Sequence, residues 1–200
     1  PDSQTHRRSD MGLLGRMVFE KADEGRTQKV RKPKLGLAVG AGAARGWAHI
    51  GVLRTLDAAG IRPDVIAGTS AGAVVAGCHA AGKLQDLEDF ARSLTKRRVF
   101  SLMDLTFSGA GLVAGGRLKA RLEEAIGGIR IEDLPVEFAS VATEMGSGHE
   151  IWLDKGMLTD AVRASYALPG VFEPVKIKNR WLFDGALVNP VPVSVCRAKE

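Results

Sequence analysis

The sequence predicts an α/β fold, a three-layer α/β/α sandwich with a mostly parallel central sheet. Three observations lead there. Short strand-like runs at residues 35–39, 64–67, 136–143 and 181–183 alternate with longer segments of helical periodicity. Glycine, 24 of 200 residues, gathers at the turns between them. Two of the runs lead straight into small-residue turns that open a helix, which places those turns at the carboxyl edge of the sheet, where α/β folds carry their sites.

The elements follow in chain order. Residues 1–33 read as a basic N-terminal tail or surface helix, and residues 34–200 as the folded domain. Residues 35–39 are apolar without alternation, as in a strand buried on both faces. The loop Gly40-Ala41-Gly42-Ala43-Ala44 then opens a helix over 45–59, which stops at Gly60. Residues 64–67 form the second strand. A second helix over 71–81 ends at Gly82, and its small residues suit close packing on a sheet. Apolar positions 84, 87, 90, 91 and 94 recur at helical spacing. Residues 100–116 are apolar, irregular and glycine-punctuated, a flap beside the site or a packed loop. A helix is expected over 117–126. Strands over 136–143 and 150–153 are expected to turn at Gly146-Ser147-Gly148. Then come a short helix over 158–165, a strand over 181–183 and a last helix after Asn189-Pro190-Val191-Pro192.

Composition narrows the class of function. With 45% hydrophobic and 26% charged residues, the chain has the balance of a soluble globular domain with a sizeable core. No apolar run approaches the roughly 18 residues of a membrane span, and the first residues do not read as a secretory signal. Cys78 and Cys196 sit in apolar context without metal-ligand spacing. They read as buried thiols in a reducing compartment, so a cytoplasmic location is expected, with no metal and no cofactor. The net charge of +5 lies largely in the first 34 residues. The apolar stretch over 11–19 in that segment offers peripheral contact with an anionic membrane surface; its plainer reading is a solvated tail. With 6% aromatic residues and no recognition motif, a nucleic-acid partner is not expected. The start at Pro1 without methionine is expected of a fragment.

The chemistry lies in three segments. In Gly68-Thr69-Ser70-Ala71-Gly72, a strand runs into a sharp turn with a serine at its apex, and Gly68 and Gly72 let the backbone take that turn. Asp184-Gly185-Ala186 puts a carboxylate at the end of another apolar strand. A serine hydroxyl needs a base. No histidine follows Asp184. His6 lies in the tail, His49 and His79 in helices, and His149 in strand context. A Ser70–Asp184 dyad is the economical reading. The loop Gly42-Ala43-Ala44 offers backbone N–H groups to an anion at a helix start. Plainer readings exist for each: Ser70 as a helix N-cap, Asp184-Gly185 as a hairpin turn, and Gly40-x-Gly42 as the start of a dinucleotide fingerprint. The last fails because the third small position falls on Arg45 and no acidic residue ends the second strand.

Together, from about Lys34 onward, these segments resemble the patatin-like phospholipase family, on its short bacterial branch similar to neuropathy target esterase. The segment Arg45 to Leu53 and the segment Ala164-Ser165-Tyr166-Ala167-Leu168-Pro169-Gly170 also resemble that family. The resemblance implies a serine acyl hydrolase acting on lipid esters through an acyl-serine, with Ser70 as nucleophile and Asp184 as base. It implies an oxyanion hole at Gly42, Ala43 and Ala44, and Arg45 beside it as a contact for a lipid phosphate, against the plainer role of a salt bridge. It also implies a further strand after Glu200. The alternatives are an acyltransferase on a related fold and a non-catalytic regulator that keeps the pocket. Ala41 and Ala43 stand where the commoner loop has glycine. Alanine keeps the N–H donor but loses easy access to positive φ, so the hole is expected to work if residue 43 sits at negative φ, at the cost of a narrower pocket.

Overall fold

A computed structural model describes residues 33–94 and 110–199. Of the basic segment over 1–33, only Pro33 falls among them. Six strands form one sheet: β1 Gly36–Val39, β2 Val65–Thr69, β3 Glu137–Glu144, β4 Glu150–Leu153, β5 Val175–Ile177 and β6 Arg180–Asp184. The helices are α1 Ala48–Ala58, α2 Ala71–Ala80, α3 Leu84–Ser93, α4 Ala110–Ile126, α5 Leu158–Ser165 and α6 Val193–Ala198. Short 3₁₀ turns at Ala43–Trp47 and Gly185–Leu187 flank the site.

β1, β2 and β3 pair in parallel, β4 and β6 lie antiparallel to β3, and β5 lies antiparallel to β6. Four strands therefore run one way, which is the mostly parallel sheet the alternating pattern predicts. Every residue of β2 is buried, because helices cover both faces. Ile66 points into the larger core with Leu53, Val75, Phe138 and Val162. Val65 and Ala67 point the other way, with Ala139 and Val141, onto Val195 and Cys196 of α6. The small-residue face of α2 lets that helix sit close: a Cβ on Gly77 would lie 2.9 Å from Val162 Cγ2.

Several boundaries differ from the expectation. The first helix opens with the 3₁₀ turn Ala43–Trp47 before α1. Residues 110–116 of the stretch expected to be irregular belong to α4, and residues 100–109 lie outside the described residues. β5, three residues long, was not anticipated, since so short a run carries no period. His149 lies in the loop before β4 and not in a strand. Gly60 and Gly82 close α1 and α2 with φ of 72° and 70°, as their positions suggest. Cys78 and Cys196 are buried and form no disulfide. Among the described residues no helix is long and apolar enough to cross a membrane.

Candidate active site

The site forms at a seam on one edge of β3. Residues 140 and 141 of β3 pair with both β2 and β4, so those two strands lie on opposite edges. Residues 142 and 143 pair with both β4 and β6, so β6 shares the edge of β2. β2 ends with Thr69 level with Val141; β6, running the other way, ends with Asp184 level with Ala142. The two strands thus meet end to end. Asp184 does stand at the carboxyl edge of the parallel strands, but not because its own strand points there: β6 arrives from beyond that edge.

Each chain turns away at the meeting point, and glycines make room. Ser70 takes φ 55° and ψ −123° before α2 begins, the strained apex of a strand-to-helix elbow. A Cβ on Gly72 would sit 2.1 Å from the Val39 carbonyl oxygen, and one on Gly68 would sit 2.5 Å from Ala73 Cα. On the other side, a Cβ on Gly185 would sit 2.2 Å from the Val141 carbonyl oxygen. Backbone packed this tightly admits no side chain, which is why both motifs need glycine at those places.

Ser70 Oγ–H donates to Asp184 Oδ2 at 2.7 Å, across 114 residues of sequence. The other carboxylate oxygen, Oδ1, accepts the Ala186 N–H at 2.8 Å. The Asp184 backbone is fixed as well: its N–H donates to the Ala167 carbonyl, and its carbonyl accepts the Thr143 hydroxyl. Asp184 is 3% exposed. Burial raises its pKa above the ordinary carboxylate value, while the Ala186 and Ser70 hydrogen bonds pull it partly back. The hydrogen bonds of Ser70 and Asp184 involve no histidine among the described residues. His79 pairs with Asp57, and His49 bonds to the Gly40 carbonyl.

The glycine loop lies against the elbow. A Cβ on Gly46 would be 2.4 Å from the Ala71 Cβ, so the loop is pressed onto the residue after Ser70. The Ala41 N–H donates to the Pro190 carbonyl, and the His49 ring holds Gly40. The N–H groups of Gly42, Ala43 and Ala44 make no hydrogen bond with the described residues; the 3₁₀ bonds begin with Arg45 N–H to Gly42 O. Those three N–H groups are available to an anion. Ala43, however, has φ 46°, so the negative φ on which the sequence reading made the oxyanion hole depend is not adopted. The loop is pinned at Pro190 on one side and at Ala71 on the other, and that fixed path takes Ala43 into the left-handed region. Arg45 is exposed and makes no ion pair with the described residues. It lines an open recess of about 550 Å³ with Ala41, Gly42, Ala43 and His49.

Comparison with known proteins matches residues 37–197 to the family model described as patatin-like phospholipase. The chain belongs to the patatin-like phospholipase family. An uncharacterized NTE family protein of Mycobacterium tuberculosis is 41% identical over 162 residues, covering 81% of this chain and 45% of that protein. A second NTE family protein from the same species is 35% identical, covering 84% of this chain and 29% of its own length. Lysophospholipase nte1 of Emericella nidulans is 29% identical over 80% of this chain and 11% of its own length. The crystal structure of VipD from Legionella pneumophila shares the fold with a TM-score of 0.53 at 14% identity, covering 79% of this chain and 47% of that one. The chain therefore spans less than half the length of the curated relatives it matches.

Within this patatin-like domain, the structure joins Ser70 to Asp184 and presses the glycine loop onto the residue after Ser70, while Arg45 lines a recess whose lining includes neither Ser70 nor Asp184. It also recruits residues that spacing alone did not mark: Ser165, Ala167, Thr143 and Pro190. Ser165 and Ala167 lie in the family-like segment after residue 163, which was the one available signal. Thr143 and Pro190 carry none, since a strand threonine and a turn proline are ordinary in those places.

Proposed function

We propose that this domain is a serine acyl hydrolase that cleaves lipid esters with a Ser70–Asp184 dyad. The 2.7 Å bond from Ser70 Oγ to Asp184 Oδ2, formed at a strained elbow beside backbone N–H groups that bond to none of the described residues, carries the reading. Ser70 Oγ attacks the ester carbonyl carbon while its proton passes to Asp184 Oδ2. The carbonyl oxygen becomes an oxyanion held by the N–H groups of Gly42, Ala43 and Ala44. As the tetrahedral species collapses, Asp184 returns the proton to the departing alcohol oxygen, leaving an acyl-serine. Water, giving its proton to Asp184, then attacks the acyl carbon; the acyl–Oγ bond breaks as Asp184 returns that proton to Ser70 Oγ, releasing the fatty acid and restoring both residues.

Support for a lipid ester comes from the family and from a relative named as a lysophospholipase. We assign a phosphate-bearing headgroup to Arg45, whose exposed side chain lines the recess beside the loop. A fluorophosphonate probe tests the nucleophile: it should label wild-type protein at Ser70 and leave Ser70→Ala unlabelled. Release of free fatty acid from lysophospholipid without an added acceptor is the second readout. Label found on another residue would end the proposal, and acyl loss that required an acceptor alcohol would make the domain a transferase.

A further inference from the structure

One buried hydroxyl at the seam has no part in the chemistry above. Ser165 ends α5 and is fully buried. Its Oγ accepts the Ser70 N–H at 2.9 Å and donates to the Val141 carbonyl at 2.6 Å. Both backbone groups sit where the β2–β3 ladder stops, for Thr69 is level with Val141 and the next residue turns out of the sheet. One step further along β3, Ala142 is level with Asp184 of the opposing strand. A strand leaving a ladder strips a donor on one side and an acceptor on the other of their partners, and buried groups of that kind must be satisfied. A hydroxyl both accepts and donates, so Ser165 satisfies both at once.

We infer that Ser165 is a positioning residue whose hydroxyl ties the end of β2 to β3, beside the point where β6 abuts, and holds the Ser70 backbone in the turn from which Oγ reaches Asp184. The inference rests on the reading of Ser70 as nucleophile. Strained backbone persists only where its surroundings over-determine it. Gly68 and Gly72 confine the elbow sterically, whereas Ser165 fixes its N–H by a directed bond. With alanine at 165, the half-buried Ser70 N–H and the buried Val141 carbonyl both lose this partner. The elbow can then relax, and Oγ swings away from the carboxylate. Ser165 itself makes and breaks no bond in the reaction.

The test compares wild type with Ser165→Ala and with Ser165→Cys, which nearly keeps the volume but is a weak donor and acceptor. The measurements are the second-order rate of fluorophosphonate labelling, and kcat and KM on a soluble short-chain ester across pH. Both variants should be labelled at least about tenfold more slowly, with kcat reduced alike and KM within about twofold. The acid limb of the pH profile should move to higher pH, because the Ser70 hydrogen bond helps to lower the Asp184 pKa and is loosened. A folded variant with wild-type labelling and an unmoved acid limb overturns the inference. So does a fall in melting temperature alone, or loss of the fold in both variants, either of which makes the hydroxyl merely structural. Wild-type protein that resists the probe would instead sink the nucleophile assignment and leave the hydrogen-bond bridge untouched.

Discussion

In the proposed dyad, Ser70 brings a strained backbone and Asp184 a buried carboxyl group. Ser70→Ala removes the proposed nucleophile and should lower turnover by about 10³-fold or more in an ester-hydrolysis assay. Asp184→Asn should lose comparable activity, since an amide cannot take the proton. Its stability should move the other way. Burial raises the Asp184 pKa in the folded state, so the folded protein holds that proton more tightly than the unfolded chain does. The stability this provides is full below the unfolded pKa and is lost as pH rises through the folded one. At pH 7 the carboxylate is a net cost, and Asp184→Asn should melt at the same or a higher temperature by calorimetry while remaining inactive. For the same reason, the acid limb of wild-type kcat/KM should lie above the ordinary aspartate value of about 3.9. Ala43 offers a separate check. Held at φ 46°, an alanine costs about 1 kcal/mol or more, so Ala43→Gly should gain up to about 1 kcal/mol in urea denaturation.

At the scale of elements, the site exists because β2 and β6 end against each other on one edge of β3. That abutment requires bare backbone at Gly185, where any Cβ would strike the Val141 carbonyl oxygen at 2.2 Å. Gly185→Ala should therefore cost about 3 kcal/mol by denaturant titration, in the upper range of overpacking penalties, and should lose activity as β6 is pushed from its register. The two motifs were legible in the sequence because each combines a nucleophile or carboxylate with glycines at fixed offsets. The abutment was not. A run such as residues 181–183 shows that it is a strand, but period-two chemistry is the same whichever way a strand points. Ser165 was visible only as part of a family-like segment, because a serine closing a helix has many ordinary uses.

At the scale of the whole molecule, the core separates two faces of the sheet. The larger side holds Phe138 with α1, α2 and α5 residues, and the smaller side rests on α6. Cys78 is 1% exposed within the larger core, and burial pushes its thiol to about 12. It should resist iodoacetamide at pH 8 in native protein and react at once in denaturant, as mass spectrometry would show; rapid native alkylation would mean that this core opens readily. The composition reading of Cys78 as a buried, unbridged thiol agrees with its place here.

By itself, the sequence determined the fold class, the order of the strands and helices apart from the short β5, and the residue types from which the proposed chemistry is built. Those follow from local periodicity, turn chemistry and side-chain functional groups, which are properties of neighbouring residues. The tertiary structure alone decided the antiparallel entry of β6, the left-handed Ala43, the hydroxyl of Ser165 at the seam and the 2.7 Å contact across 114 residues. Each depends on which strand edges meet, and that is settled by burying both faces of the sheet at once, a constraint no single segment carries.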